Sequence, residues 1–182
     1  MEKKEEIGKS NLKQGNISLI LDSYDDIFSD FDPRSYSNRA LSDDFLLECK
    51  KAARSKKEGE SGLELRLLMP PDKRNTDDEV RIEKRLKNHF KKHFEEKQRE
   101  MKRATKNGIV WFIAGISIIL AATSLSDYRG FLFRFLFVLL EPAGWFTTWA
   151  GLDKIFIEPR GKRPEFEFYR KMADIQIIFL NY

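Results

Sequence analysis

The 182-residue chain carries 33 Lys and Arg against 29 Asp and Glu, a formal net charge of +4, and is 41% hydrophobic with one cysteine, Cys49. A single cysteine excludes an internal disulfide and any multi-cysteine metal site, and it fits a reducing compartment. Charge and apolarity are segregated: residues 1–106 and 158–172 hold most of the charge, and 108–157 is almost wholly apolar. Basic residues bunched beside an apolar block point to a membrane surface; without basic and aromatic residues interleaved, no nucleic-acid partner is expected.

Met1–Lys13 is charged with no apolar centre, so it is not read as a signal peptide, and 1–16 is expected to be a disordered tail. Ile17, Leu19 and Leu21 alternate as in a strand. Ser23–Ala40, rich in Asp and Ser, predicts a long loop with a helical turn near Asp26–Phe31. Its acidic residues Asp22, Asp25, Asp26, Asp30 and Asp32 lack calcium-loop spacing, and turn chemistry explains them; Asp32-Pro33-Arg34 could be a fixed corner. Ser42 suits a helix N-cap followed by Asp43 and Asp44, with Phe45, Leu46, Cys49 and Ala53 facing inward and Leu41 stapled onto Leu46. The helix ends in the basic run Arg54–Gly62.

Leu63–Met69 alternates as a second strand, stopped by Pro70-Pro71. Thr76-Asp-Asp-Glu79 has the spacing of a capping box. After it Ile82, Leu86, Phe90, Phe94 and Met101 sustain a helical stripe with no proline before Pro142, so one helix should run unbroken into the apolar block. Pro164 suits a helix N1 position, with Phe166, Tyr169 and Met172 on one face, and Ile175, Ile177 and Phe179 alternate as a third strand. The first two strands, joined through a helix, should be parallel, and the third completes the sheet from the other chain end.

Ile109–Leu125 is uncharged and just long enough to span a bilayer core of about 30 Å. Phe131–Leu140 and Trp145–Leu152 form a second apolar stretch, interrupted by Arg134 and Glu141. Lys97, Arg99, Lys102, Arg103 and Lys106 precede the first stretch, and Lys154, Arg160, Lys162 and Arg163 follow the second. The positive-inside rule puts these flanks in the cytoplasm and the turn Ser126–Gly130 outside. Gly108, Gly115 and Ala122, and then Gly144 and Gly151, recur at heptad spacing, as residues do where helices approach closely.

Glu141 falls near the middle of the second span. A carboxyl there must be protonated, paired or in a polar cavity. Pro142 frees the Val138 carbonyl and should kink the helix beside it, and Ser117 lies at a similar depth as a hydrogen-bond partner. Arg134, seven residues away and about 10 Å along the axis, can snorkel outward. The first reading is a neutral acid locking the hairpin or a subunit contact; ion or proton passage is the second. His89 and His93 share a face at i, i+4, but without a third ligand they read as polar helix surface, and no metal or other cofactor is expected.

Asp22–Arg34, Arg39–Phe45 and Leu139–Trp145 resemble stretches of a group of uncharacterised prokaryotic two-pass membrane proteins, a likeness covering about residues 17–182. It implies the same architecture and no known activity. The expected fold class is therefore α+β. A small three-stranded cytoplasmic α+β domain, built from both chain ends (17–106 and 158–182), is joined by a long helix to a transmembrane hairpin at 107–157. The expected role is a non-enzymatic membrane-anchored module that binds a protein partner or forms a homo-oligomer. Its lipid partners are anionic headgroups at the basic flanks. The alternative is a small oligomeric channel or transporter subunit using Glu141.

Overall fold

A computed structural model describes residues 17–54 and 63–182; the tail 1–16 and, of the basic run Arg54–Gly62, all but Arg54 lie outside the described residues. The protein is α+β. Strands β1 (Ile17–Ile20), β2 (Glu64–Met69) and β3 (Gln176–Asn181) form one sheet in the order β1-β2-β3, with both pairings parallel. Parallel neighbours need long crossovers. Helix α1 (Asp43–Arg54) lies between β1 and β2, and α2 (Thr76–Leu125), α3 (Phe131–Phe156) and α4 (Glu158–Ala173) lie between β2 and β3. The sheet is thus drawn from both ends of the chain. By its internal contacts the chain divides into two compact units, Met1–Phe94 with Glu167–Tyr182, and Glu95–Phe166.

In the first unit, one face of the sheet supplies Ile17, Leu65, Leu67, Met69 and Ile177 to the core. Helical spacing supplies the rest: Phe45, Cys49 and Ala53 from α1; Ile82, Leu86 and Phe90 from α2; Phe168, Tyr169 and Met172 from α4. Leu46 packs at the margin. Each fully buried aliphatic or aromatic side chain is worth about 1.5–3 kcal/mol of transfer free energy. Burial pushes the Cys49 thiol up to about 12, so it behaves as a small apolar residue. The second sheet face carries Ile20, half exposed, Leu68, buried, and the Arg66–Glu64 ion pair.

The helical turn expected near Asp26–Phe31 sits earlier, at Tyr24–Ile27, because the Asp26 carboxylate accepts from the amides of Asp22 (2.7 Å) and Ser23 (3.0 Å) and so fixes the turn's start. The rest of the loop closes where Phe28 bridges Leu41. Asp32 is the corner anticipated: it accepts from the Arg34 guanidinium (2.7 and 2.8 Å) and the Ala40 amide (2.6 Å), which hold its carboxyl well below the usual carboxylate range. Ser42 caps α1, its Oγ accepting from the Phe45 amide at 3.5 Å.

Two helix starts differ from expectation. The Thr76–Glu79 capping box is not made. Asn75 caps α2, its Oδ1 accepting from the Asp77 amide at 3.0 Å, and Glu79 turns into the body of the unit. Pro164 is not at N1 but inside α4, which begins at Glu158. Pro159 occupies the first turn, where a missing N–H costs nothing. The carbonyl that Pro164 leaves without a donor belongs to Arg160, which is exposed and can be hydrated.

In the second unit, α2 and α3 form a hairpin of long apolar helices. The fifty residues of α2 run without interruption, as the proline-free stripe predicts. The turn ends at Gly130, whose φ of 138° is the left-handed region only glycine enters cheaply.

Candidate functional site

The hairpin seam is built by its small residues. A Cβ on Gly115 would strike the Thr148 hydroxyl and lie 2.5 Å from the Thr148 backbone nitrogen; on Gly151 it would lie 2.5 Å from that of Phe112, and on Gly144 3.0 Å from that of Ile119. Gly108 meets Ile155 and the Gly151 carbonyl in the same way, and Ala122 is buried. The small residues therefore bring α2 and α3 to near backbone contact. Those faces are consumed inside the hairpin.

The hydroxyls in these helices are satisfied locally. Ser117 donates to the Ile113 carbonyl (2.9 Å), Thr123 to Ile119 (2.9 Å), Thr147 to Ala143 (2.7 Å) and Thr148 to Gly144 (2.8 Å). The expected bond between Ser117 and Glu141 is thus replaced by a bond within Ser117's own helix, which costs no rearrangement of the seam. Glu141 and Arg134 are both exposed on the hairpin surface, and neither side chain has a hydrogen bond or ion pair among the described residues. Pro142 sits inside α3 and supplies no N–H for the Val138 carbonyl.

Outside the seam the helices are clothed in apolar side chains: Trp111, Ile113 and Leu120 on α2, and Phe131, Val138, Trp145, Phe146 and Trp149 on α3, all exposed. Of the most apolar stretch in each of Thr76–Leu125 and Phe131–Ala173, only 17% and 6% is buried. Both helices are long and apolar enough to cross a membrane. At the basic end, Lys97 pairs with Glu165 (3.1 Å), whose carboxylate raises the ammonium pKa, and Lys162 pairs with Glu158 (2.8 Å). Lys102, Arg103, Lys106, Lys154 and Arg160 have no ion pair among the described residues.

The α+β unit holds two arrangements the sequence did not reveal. Arg74 grips Glu79 with both arms of its guanidinium (2.7 and 2.9 Å) and donates to Asn181 at the end of β3 (2.6 Å). The Tyr24 hydroxyl donates to the same carboxylate (3.0 Å) and accepts from the Asn75 amide (2.8 Å). Arg74 foremost holds the Glu79 carboxyl below its ordinary range, and burial raises the Tyr24 phenol. This network ties the turn after β1, the start of α2 and the end of β3 together. Tyr24 reaches Asn75 and Glu79 from 51 and 55 residues away and Arg74 reaches Asn181 across 107, so no local pattern announces these links.

The second is His89, expected to be polar surface but half-buried, its ring against Phe90, His93 and Tyr169. Its Nε2 is enclosed with no hydrogen-bond partner among the described residues. Burial, with the positive charges of His93, Arg85 and Lys92 nearby, lowers it to about 4. His93 stacks on Tyr169 at 5.2 Å. Among the described residues no group of His, Cys, Asp or Glu is placed to hold a metal ion.

No family model, no curated protein and no solved structure matches this chain.

Proposed function

We propose that the chain is a non-enzymatic, two-pass membrane protein whose hairpin anchors the α+β unit at the cytoplasmic face, where that unit binds a protein partner or another copy. The observation that carries this is the exposed apolar coat of α2 and α3 around a seam already closed by glycines. In water such a coat would cost about 25 cal/mol for each Å² left unburied, whereas lipid tails cover it without penalty. Charge supports the orientation. Unpaired basic residues gather at the end holding Lys102, Arg103, Lys106 and Lys154, and the connecting turn offers only Asp127 and Arg129. Anionic headgroups fit that basic end at about 1 kcal/mol per cation near the surface.

The half-exposed Ile20, and β1 and β3, each paired with a strand on one side only among the described residues, leave the sheet able to receive a partner. A second reading, a subunit of a small oligomeric channel, is favoured by the exposed Glu141 alone; a single hairpin encloses no pore. Reagent that cannot cross the membrane should label a Ser126→Cys variant on intact cells in a Cys49→Ala background. Labelling of Asn181→Cys instead would refute the orientation. Liposomes holding the wild-type chain should leak no more protons than empty ones, and a leak abolished by Glu141→Gln would favour the channel.

A further inference from the structure

We propose that the face of α3 bearing Glu141 is the contact between two copies of this chain within the bilayer, Glu141 of one copy meeting Glu141 of the other. The inference rests on the membrane reading above and goes beyond it by assigning the face, the group and the partner. Among the polar side chains of the two apolar stretches, the hydroxyls of Ser117, Thr123, Thr147 and Thr148 are satisfied within their own helices. The Glu141 carboxyl is exposed and receives no bond among the described residues. One turn away, Val138 is 62% exposed, and Pro142 leaves its carbonyl without a helical donor. Lipid offers neither group a partner.

The surroundings of Glu141 select a helix as occupant. Val138, Glu141 and Trp145 follow in steps of three and four residues, the spacing by which one helix meets a parallel neighbour in a left-handed pair, and Arg134 lies beyond them toward the outer surface. All three are exposed, and none touches a seam glycine. A second copy inserted the same way presents its own Glu141 at equal depth. Two carboxylic acid groups are complementary to each other, since each supplies a donor and an acceptor. An unlike partner would need its own donor placed at that depth; a copy of this chain brings one by symmetry.

The test uses the full chain in native membranes, with Cys49 replaced by Ala and one new cysteine at Val138, Trp145 or Ala143, followed by oxidation. Ala143 lies two residues from both Glu141 and Trp145, about 200° around the helix, and faces away from the proposed contact. Val138→Cys and Trp145→Cys should give a disulfide-linked dimer and Ala143→Cys should not. Adding Glu141→Leu should weaken dimer formation roughly tenfold, while Glu141→Gln, which keeps donor and acceptor, should hold it within about threefold. Alkaline carbonate washing of the same membranes separates the two claims. A chain washed off overturns the membrane reading and this inference with it. A chain that stays but cross-links equally from all three positions, is indifferent to Glu141→Leu, or links only to a different protein, overturns this inference alone.

Discussion

Phe90 and Phe146 are the same side chain in one molecule, yet the first is 0% exposed and the second 83%. The contrast runs through both regions. In the α+β unit Ile17, Leu65, Ile82 and Leu86 are sealed from solvent, and the charged groups near the core are matched, as Arg74 is with Glu79. In the hairpin Leu120, Phe131 and Trp149 face outward while the glycines are inside. The α+β unit is folded by removing apolar surface from water. The hairpin helices are held by close backbone approach, and under the proposed lipid cover they would have no such force between them.

The largest effect should come from removing β3. Truncation after Met172 deletes Ile175 and Ile177 from the core and strips β2 of a six-residue parallel neighbour. The loss should exceed the roughly 5 kcal/mol by which a small domain is stable, so resistance to protease should vanish in the unit while the hairpin still partitions with membranes. Retained resistance would mean that the two chain ends fold independently. Next comes the seam. Gly115→Ala should destabilise the hairpin in detergent by about 1–3 kcal/mol through overpacking against Thr148. Gly161→Ala, whose new methyl meets nothing within 4 Å, should instead leave stability unchanged or raise it by up to about 1 kcal/mol through helix propensity.

In the α+β unit, Glu79→Ala leaves the Arg74 guanidinium and the Tyr24 hydroxyl without their shared acceptor, at a cost of about 2 kcal/mol in chemical denaturation. Smallest is a pH effect. His89 is held neutral in the fold, down to about 4 from an ordinary 6.5, so its contribution is complete above pH 6.5 and is lost as pH falls toward 4. Glu79, whose pKa is lowered, loses its contribution only at more acid pH, below its ordinary 4.5. At pH 5 a His89→Phe variant should therefore be more stable than wild type by about 1 kcal/mol, allowing for the ring's partial exposure, and the gap should close at pH 8. A gap independent of pH would show that packing, not protonation, sets it.

How much of this was legible follows from the range of each interaction. Alternation at Ile17–Leu21, Leu63–Met69 and Ile175–Phe179 exposed the strands, and Ser42 and the proline-free run after Glu79 exposed two helices, because those signals are local. The recurring glycines announced the seam for the same reason. The capping box misled because its Glu is in demand from the Tyr24 hydroxyl, which only the finished fold brings near, as well as from Arg74 five residues earlier. His89 misled because the side chain that covers it, Tyr169, arrives from 80 residues along the chain. Ser117 was expected to meet Glu141, but Gly144 meets Ile119 and Gly115 meets Thr148 across the seam, which sets Ser117 away from the level of Glu141, and its hydroxyl takes a carbonyl of its own helix.

The central claim, that lipid covers the hairpin, can be tested on the unmodified chain. The three tryptophans of the sequence, Trp111, Trp145 and Trp149, all lie in the hairpin and are 47%, 56% and 62% exposed, so intrinsic tryptophan emission reports on this region alone. In vesicles of phospholipid brominated along the acyl chains, that emission should be strongly quenched and blue-shifted, and iodide in the water should quench it little. Emission untouched by brominated lipid but quenched by iodide would contradict the account.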